Sequence, residues 1–227
     1  MRVACFISGG KDSMLALHRV SEEHEIACVV SVISENPDSY MFHTANLPLV
    51  DAIASSLKIP LFKVFVSGQE EREVDELSEQ LKALDVDGIV TGAVKSEYQR
   101  KRFEKVVRRM GAKLIAPLWH IDERDLLKEV SEKFEAIIVK VSAMGLDRTF
   151  LGKKIDHELI ETLSGLSERY GINISGEGGE YETLVLNAPL FRKRIVIEDY
   201  VINGHDMVSS MDVRAYRLEN KDNYPSK

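Results

Sequence analysis

The chain has 227 residues, of which 44% are hydrophobic and 30% charged, which is typical of one globular domain or of a domain with a smaller annex. Its net charge of −7 argues against non-specific binding to nucleic acid, because phosphate backbones need a basic partner. The two cysteines argue against a disulfide framework, and neither a signal peptide nor an apolar run of membrane-spanning length is present, so we expect a cytoplasmic protein without membrane contact.

Apolar runs and helical patterns alternate along the first 141 residues. The runs predict strands at 2–7, 26–33, 61–66, 88–94, 113–116 and 135–141. Amphipathic patterns predict helices at 11–21, 47–57, 70–84, 96–110 and 122–133. Continuous apolar runs are typical of strands buried on both faces of a parallel sheet. We therefore predict an α/β three-layer sandwich, with ligands bound beyond the carboxyl ends of its strands.

The regular alternation of strands and helices ends after the sixth predicted strand. We expect a glycine-containing loop, a helix over 156–170, a Gly/Glu-rich loop over 175–183 and antiparallel strands at 195–202 and 211–218. The sequence thus predicts a first domain at 1–142 and a smaller C-terminal α+β domain at 143–227. We expect the second domain to bind the substrate and to complete a cleft at the strand ends.

The loop between the first strand and the first helix has the chemistry of an anion site. It consists of Ser8, Gly9, Gly10, Lys11, Asp12 and Ser13. The glycines let the backbone approach a phosphate, and the free N–H groups of the helix start point at it. Lys11 adds a positive charge, and the two serines add hydroxyl donors. Asp12 suits such a site only if a cation bridges it to the phosphates, which implies Mg²⁺ with Asp12 as a ligand.

This loop matches neither the Walker A motif nor the dinucleotide fingerprint. It resembles the PP-loop, Ser-Gly-Gly-x-Asp-Ser, of the ATP pyrophosphatase superfamily. The resemblance implies that ATP is cleaved to AMP and pyrophosphate while an acceptor oxygen is adenylated. Ser34 and Gly92, at the ends of the second and fourth predicted strands, are expected to frame the adenine.

Two features narrow the choice within that superfamily. Members that thiolate RNA use reactive cysteines, whereas Cys5 and Cys28 lie inside predicted strands. Members that take nitrogen from glutamine carry a glutaminase domain, which does not fit into 227 residues. An amide-forming enzyme of this length would therefore use free ammonia.

Three further stretches, Asp38–Thr44, Gly92–Arg102 and Gly176–Thr183, complete a resemblance to the diphthine–ammonia ligase (diphthamide synthase) family from Met1 to about Ile202. It implies ATP-dependent amidation of the diphthine carboxylate on translation elongation factor 2. Ammonium is the nitrogen source, an acyl-adenylate is the intermediate, and diphthamide, AMP and pyrophosphate are the products. The compact length resembles archaeal members.

The resemblance and the local chemistry together indicate the site residues. Those expected to take part in catalysis are Lys11, Asp12, Arg102, Glu177, Glu180 and Glu182. The three glutamates offer a base for ammonium, and Arg102 offers a partner for a carboxylate or phosphate. Residues expected to contact the substrate or to cover the nucleotide are Tyr40, His43, Tyr98, Gln99, Gly178, Gly179 and Tyr181.

Other interpretations stay open at this stage. The chain could be another PP-loop adenylating enzyme that modifies RNA, or a sensor that binds ATP without cleaving it. The pair Lys11 and Asp12 and the three glutamates argue against a sensor, which does not need them. The segment Gly176–Thr183 could also be a solvated acidic turn. The sequence leaves open a homodimer and the identity of the base.

Overall fold

The fold is given by a computed structural model, which describes residues 1–34 and 48–221. The chain divides into two compact units, Met1–Ser8 with Asp12–Trp119, and Gly9–Lys11 with His120–Lys227. Within the described ranges, no helix is both long enough and apolar enough to cross a lipid bilayer.

Strands and helices alternate in the first unit as the sequence predicts. The strands are β1 (Arg2–Phe6), β2 (Glu25–Ser34), β3 (Leu61–Val66), β4 (Gly88–Val90) and β5 (Lys113–Ile115). The helices are α1 (Lys11–Val20), α2 (Pro48–Leu57), α3 (Glu70–Leu81) and α4 (Glu97–Met110).

The five strands form one parallel sheet in the order β3-β2-β1-β4-β5. Parallel strands need crossover connections, and the helices supply them. Because all five strands point the same way, the ends of β1, β2 and β4 reach one edge of the sheet. Ser8, Ser34 and Gly92 follow or end those strands. The α/β prediction is confirmed.

Both faces of this sheet are buried along its central strands β1 and β4. One face packs against α3 and α4 in a core to which Ala4, Phe6, Leu77 and Phe103 contribute, and the Phe6 and Phe103 rings meet edge to face with centroids 4.9 Å apart. Residues that alternate with these along β1, such as Cys5, point to the opposite face and are also fully buried. Each large apolar side chain buried in this way contributes about 1.5–3 kcal/mol.

The second unit is built around an antiparallel sheet. Its strands are β6 (Glu135–Val141), β7 (Tyr181–Asn187), β8 (Lys193–His205) and β9 (Val208–Asn220), in the order β7-β6-β9-β8. Its helices are α5 (Glu123–Lys133), α6 (His157–Tyr170) and a 3₁₀ turn at Arg148–Phe150. Aspartates cap both α-helices, since Asp122 accepts from the Arg124 N–H and Asp156 from the Leu159 N–H.

Two predictions for this region are wrong. The run 135–141 does not join the parallel sheet; it pairs antiparallel with β7 and β9. A buried apolar run looks the same in either sheet, because the pattern reports burial and not strand direction. The loop predicted over 175–183 ends early, since Tyr181–Thr183 already belong to β7. The two compact units divide after Trp119.

Candidate active site

In the first unit, the predicted phosphate loop has a serine at each end. The Ser8 N–H donates to Ser13 Oγ over 3.2 Å, and the two hydroxyl oxygens are 3.3 Å apart. This contact closes the turn between β1 and α1. Asp12 stands in the first turn of α1, where a carboxylate also suits the helix dipole.

Gly92 lies against the start of α1. A Cβ atom at this position would come within 2.7 Å of the Ser13 nitrogen and 2.8 Å of the Asp12 carbonyl carbon. Both neighbours are backbone atoms, so a side chain would force the helix start to move. Gly92 therefore has a packing reason to be glycine, in addition to the adenine contact expected from the sequence.

In the second unit, Gly9–Lys11 run beside β7. The Val185 N–H donates to the Gly9 carbonyl over 2.9 Å, and the Lys11 N–H donates to Thr183 Oγ1 over 3.0 Å. The Lys11 ammonium lies 5.4 Å from the centroid of the Tyr181 ring, and Lys11 is only 3% exposed. Gly9 has φ 87°, a left-handed conformation that favours glycine. The loop is thus hydrogen-bonded to the strand that ends the glutamate-rich segment Gly176–Thr183.

The three glutamates of this segment differ in their surroundings. Glu180 Oε1 accepts two hydrogen bonds from Asn173, one from its backbone N–H at 2.9 Å and one from Nδ2 at 2.7 Å. Glu182 forms an ion pair with Lys140, with 2.7 Å between Oε1 and Nζ. Glu177 lies half-buried in the turn before β7. Contacts within the unit therefore fix the carboxylates of Glu180 and Glu182.

The glycines and the tyrosine of the segment shape its turn. Gly176 has φ 74°, and a Cβ there would come within 2.9 Å of the Tyr181 carbonyl oxygen. A Cβ on Gly178 would come within 2.7 Å of Glu180 Oε1, and Gly179 has φ 85°. Tyr181 is 3% exposed and donates its hydroxyl to the Ile174 carbonyl over 2.6 Å. Tyr181 thus packs within the unit.

Helix α4 of the first unit carries three predicted site residues. Ser96 caps the helix by accepting from the Gln99 N–H. Arg102 donates to Tyr98 Oη over 2.7 Å and forms an ion pair with Glu73 at 3.4 Å. The side chains of Arg102 and Glu73 are only 11% and 4% exposed. Arg102 is therefore engaged by α3 and by Tyr98.

Three other residues were predicted to contact the nucleotide or the substrate. Ser34 ends β2 and is 7% exposed. Tyr40 and His43, which the sequence suggested as a cover for the nucleotide, fall outside the residues that the structure describes.

The cysteines lie in neighbouring strands, as expected. Cys5 is fully buried and Cys28 is 7% exposed. Burial raises the pKa of the Cys5 thiol from 9.0 to about 12, and the nearby Cys28 adds to this shift. Burial also raises the pKa of Cys28. A protonated, buried thiol is a poor nucleophile, which speaks against a sulfur-transfer reaction.

Several positioning residues were missed by the sequence reasoning. They are Glu73, Lys140, Asn173 and Thr183. Lys140 interrupts an apolar strand run, and a charge in such a run signals a buried partner. The remaining contacts depend on tertiary pairing and leave no local signal. Among the described residues, no group of three or more His, Cys, Asp or Glu side chains is arranged to hold a metal ion.

The parallel sheet and the Gly-Gly-Lys loop that opens α1 define a nucleotide-binding α/β protein. Sequence models described as the diphthamide synthase N-terminal domain and C-terminal domain match residues 1–114 and 122–218. The chain therefore belongs to the diphthine–ammonia ligase (diphthamide synthase) family, a family of ATP-using carbon–nitrogen ligases whose reaction is the amidation of diphthine. The family, the enzyme class and this reaction were predicted from the sequence and are confirmed.

Relatives named diphthine–ammonia ligase occur in several eukaryotes. The rat (Rattus norvegicus) protein is 37% identical, over 97% of this chain and 94% of its own length. The zebrafish (Danio rerio) protein is 39% identical, over 91% of both chains. The Schizosaccharomyces pombe protein is 36% identical over 90% of this chain, which corresponds to 37% of that longer protein.

A solved structure from Methanocaldococcus jannaschii, described as a predicted subunit of tRNA methyltransferase, covers 83% of this chain and 97% of its own. It shares 16% identity with a TM-score of 0.45, and this similarity is too low to carry information on function.

Proposed function

We propose that this chain converts the diphthine carboxylate of translation elongation factor 2 to the amide of diphthamide, using ATP and ammonium and releasing AMP and pyrophosphate. One observation carries the proposal. The Gly9–Lys11 backbone is hydrogen-bonded to Thr183 and Val185, so the phosphate loop adjoins the strand that ends the glutamate-rich segment. The residues proposed to bind phosphate and those proposed to act on the acceptor therefore both adjoin strand β7.

The phosphate loop binds the triphosphate of ATP. The N–H groups of Gly9 and Gly10, the hydroxyls of Ser8 and Ser13, and the Lys11 ammonium supply donors and positive charge. Ser34 and Gly92 stand at the same edge of the parallel sheet and are assigned to the adenosine.

Asp12 is assigned to Mg²⁺. Magnesium in nucleotide sites is held by one or two carboxylates together with phosphate oxygens, and a single aspartate beside the loop suits that chemistry. The ion would neutralise phosphate charge.

The reaction has two steps. A carboxylate oxygen of diphthine attacks the α-phosphorus of ATP, and the bond from that phosphorus to the bridging oxygen breaks, so that pyrophosphate leaves with the electron pair. Ammonia then attacks the acyl carbon, and the tetrahedral intermediate expels AMP. A free carboxylate would have to expel oxide, which is a very poor leaving group. Adenylation provides AMP as the leaving group instead. Lys11 stabilises the charge that develops on the departing pyrophosphate.

Ammonium must lose one proton before it attacks, and the amine loses another as the amide forms. We assign Glu180 and Glu182 to positioning the segment through Asn173 and Lys140. We assign the proton-accepting role to Glu177, which lies in the turn between Gly176 and Gly178.

In the first unit, the start of α4 is assigned to contacts with the protein substrate. Tyr98 and Gln99 contact it, while Arg102 holds the Tyr98 hydroxyl in place. We retain Tyr40 and His43 as residues that cover the nucleotide, and Gly178 and Gly179 as the backbone that approaches the substrate. Because the substrate works in translation, we place the enzyme in the cytoplasm.

The test uses purified chain, ATP, Mg²⁺, ammonium and an elongation factor 2 whose modification has stopped at diphthine. We expect AMP, and a substrate peptide lighter by the mass difference between OH and NH₂. Lys11→Met should abolish both products, while Lys58→Met, an exposed lysine, should leave them unchanged. Release of ADP, or AMP release that depends on RNA, would overturn the proposal. Tight ATP binding without turnover on this substrate would identify a sensor.

A further inference from the structure

The outer part of the β8–β9 hairpin is exposed to an unusual degree. Eight consecutive residues of β8, 198–205, are all exposed, which means that both faces of the strand meet solvent. Three of them are large and apolar: Tyr200 is 50% exposed, Val201 41% and Ile202 45%. Met207 and Val208 extend this apolar surface around the turn, at 46% and 62%.

This strand also forms an edge. The sheet order β7-β6-β9-β8 leaves one side of β8 without a neighbouring strand in the part of the chain that the structure describes. Natural edge strands are usually blunted by lysine, proline, an inward charge or a bulge, because their open N–H and C=O groups recruit other strands. The register of β8 against β9 shifts between Ile197 and Tyr200, that is, before the apolar stretch. The stretch Tyr200–Ile202 carries none of these and consists of residues that favour strands.

We propose that the β8 strands of two copies pair antiparallel about a two-fold axis at Val201, which joins two four-stranded sheets into one sheet of eight strands. The pairing is independent of the proposed catalytic function. A second copy would cover the open edge of β8 and its apolar residues.

Charge and backbone geometry select this register. With Val201 on the axis, Tyr200 lies opposite Ile202 of the second copy, and Asp199 opposite Asn203. The regular part of this pairing is Tyr200–Ile202, because β8 shifts register against β9 between Ile197 and Tyr200 and Gly204 has φ 90°. No like charges face each other across it. In this register the numbers of two opposed residues add up to 402. Odd-numbered residues therefore face odd-numbered ones, and even-numbered residues face even-numbered ones. Outward-facing backbone groups on one copy therefore meet outward-facing groups on the other.

The neighbouring symmetric register is less favourable. With Tyr200 on the axis, Asp199 would lie opposite Val201 and Glu198 opposite Ile202 of the second copy. Carboxylates would then be desolvated against apolar side chains without a charged partner. A two-fold axis between two residues pairs odd with even positions, so outward-facing groups would meet inward-facing ones.

The first experiment measures mass in solution. Sedimentation equilibrium of the full chain should give a dimer, and Val201→Lys, which sets two ammonium groups against each other, should give a monomer. Met144→Lys is the control, because Met144 is an exposed apolar residue outside the hairpin (61%, against 41% for Val201), and this variant should stay dimeric. Circular dichroism of each variant checks that the fold is intact.

The second experiment tests the register. Opposed residues of an antiparallel pair have Cβ atoms about 4.5–5.5 Å apart, close to the spacing of a disulfide. Val201→Cys should therefore form a covalent dimer under mild oxidation, whereas Met144→Cys should not. The native Cys5 and Cys28 are buried and give little background. A monomeric wild-type chain, or a dimer in which Val201→Cys fails to cross-link, would overturn the proposal. Loss of elongation factor binding by Val201→Lys in a monomeric protein would assign the strand to the protein substrate instead.

Discussion

Lys11 donates its backbone N–H to the hydroxyl of Thr183, which lies 3.0 Å away and 172 positions later in the sequence. The bond is buried, and it joins the first residue of α1 to the third residue of β7. Because the Lys11 side chain is assigned to the triphosphate, the position of its backbone decides where its ammonium can reach. Thr183 is therefore expected to influence ATP turnover without touching ATP.

Thr183→Val should slow AMP formation by about tenfold or more, because small displacements of a positioning contact are costly to catalysis. The same change removes the partner of a buried N–H and should lower the free energy of unfolding by about 1–3 kcal/mol. Single-turnover kinetics and chemical denaturation measure the two effects.

Two comparisons make the Thr183 result specific. Thr183→Ser keeps the hydroxyl and should retain most of the activity. Thr162→Val removes a hydroxyl that bonds only within α6 and should leave turnover unchanged. Equal losses in Thr183→Val and Thr183→Ser would show that the hydrogen bond is not what matters.

Gly92→Ala should weaken ATP binding. The added methyl would lie 2.7–2.8 Å from backbone atoms of Asp12 and Ser13, so the first turn of α1 would have to shift. Overpacking of this kind costs about 1–3 kcal/mol. Gly165→Ala is the matched control, because Gly165 lies within α6 with open space around it. That change should stabilise the protein by about 0.5–1 kcal/mol. Isothermal titration with ATP would contradict the prediction if both variants bound like wild type.

Substitutions of Glu177 and Glu182 should have different kinetic effects. Glu177→Gln should reduce amide formation by about 10²–10⁴-fold with ATP affinity unchanged, as expected for loss of a proton acceptor. Glu182→Gln should act through its ion pair with Lys140, so Lys140→Met should reproduce its effect and the double variant should add little. A Glu177→Gln enzyme with normal turnover at saturating ammonium would move the base to another residue.

The buried thiol of Cys5 should make stability depend on alkaline pH. Its pKa is about 12 in the folded chain, against an ordinary value of 9.0. Between these values the unfolded chain loses a proton that the folded chain keeps. Stability is therefore full below pH 9 and falls as the pH rises towards 12, by up to about 1.4 kcal/mol for each pH unit.

Urea denaturation at pH 8 and pH 10.5 measures that slope. Cys5→Ala should be less stable than wild type at pH 8 but should lose less stability on going to pH 10.5. In the folded protein at pH 8, a thiol reagent should leave both cysteines unmodified and the ligase activity intact. Rapid inactivation by the reagent would show that a cysteine is accessible and would reopen a sulfur-transfer role.

The sequence predicted the first unit well because its signals are local. Each strand of the parallel sheet is a short apolar run, and the loop Ser8–Ser13 combines residues whose chemistry points to phosphate without knowledge of the fold. Strand β6 shows where this reasoning stops. Its run of buried residues is compatible with either sheet, and its antiparallel partners, β7 and β9, come 40 or more residues later in the chain.

The candidate site shows the same division. The residue types of Glu180, Glu182 and Arg102 indicate acid–base and anion chemistry, and this much could be predicted. Their actual partners, Asn173, Lys140 and Glu73, are set by tertiary pairing. The sequence therefore predicted the candidate segments but could not rank the carboxylates within them.

The grouping of Gly9–Lys11 with the second unit has a consequence for how this gene can recombine. Residues 1–114 and 122–218 match two separate sequence models, which suggests two exchangeable modules. Yet Lys11 and Gly9, in the first module, form backbone hydrogen bonds with Thr183 and Val185, in the second. A chimaera with a distant relative would have to keep a hydroxyl at position 183 and a residue other than proline at 185. A chain divided between the two modules would therefore have to reassemble before these two hydrogen bonds of the loop could form.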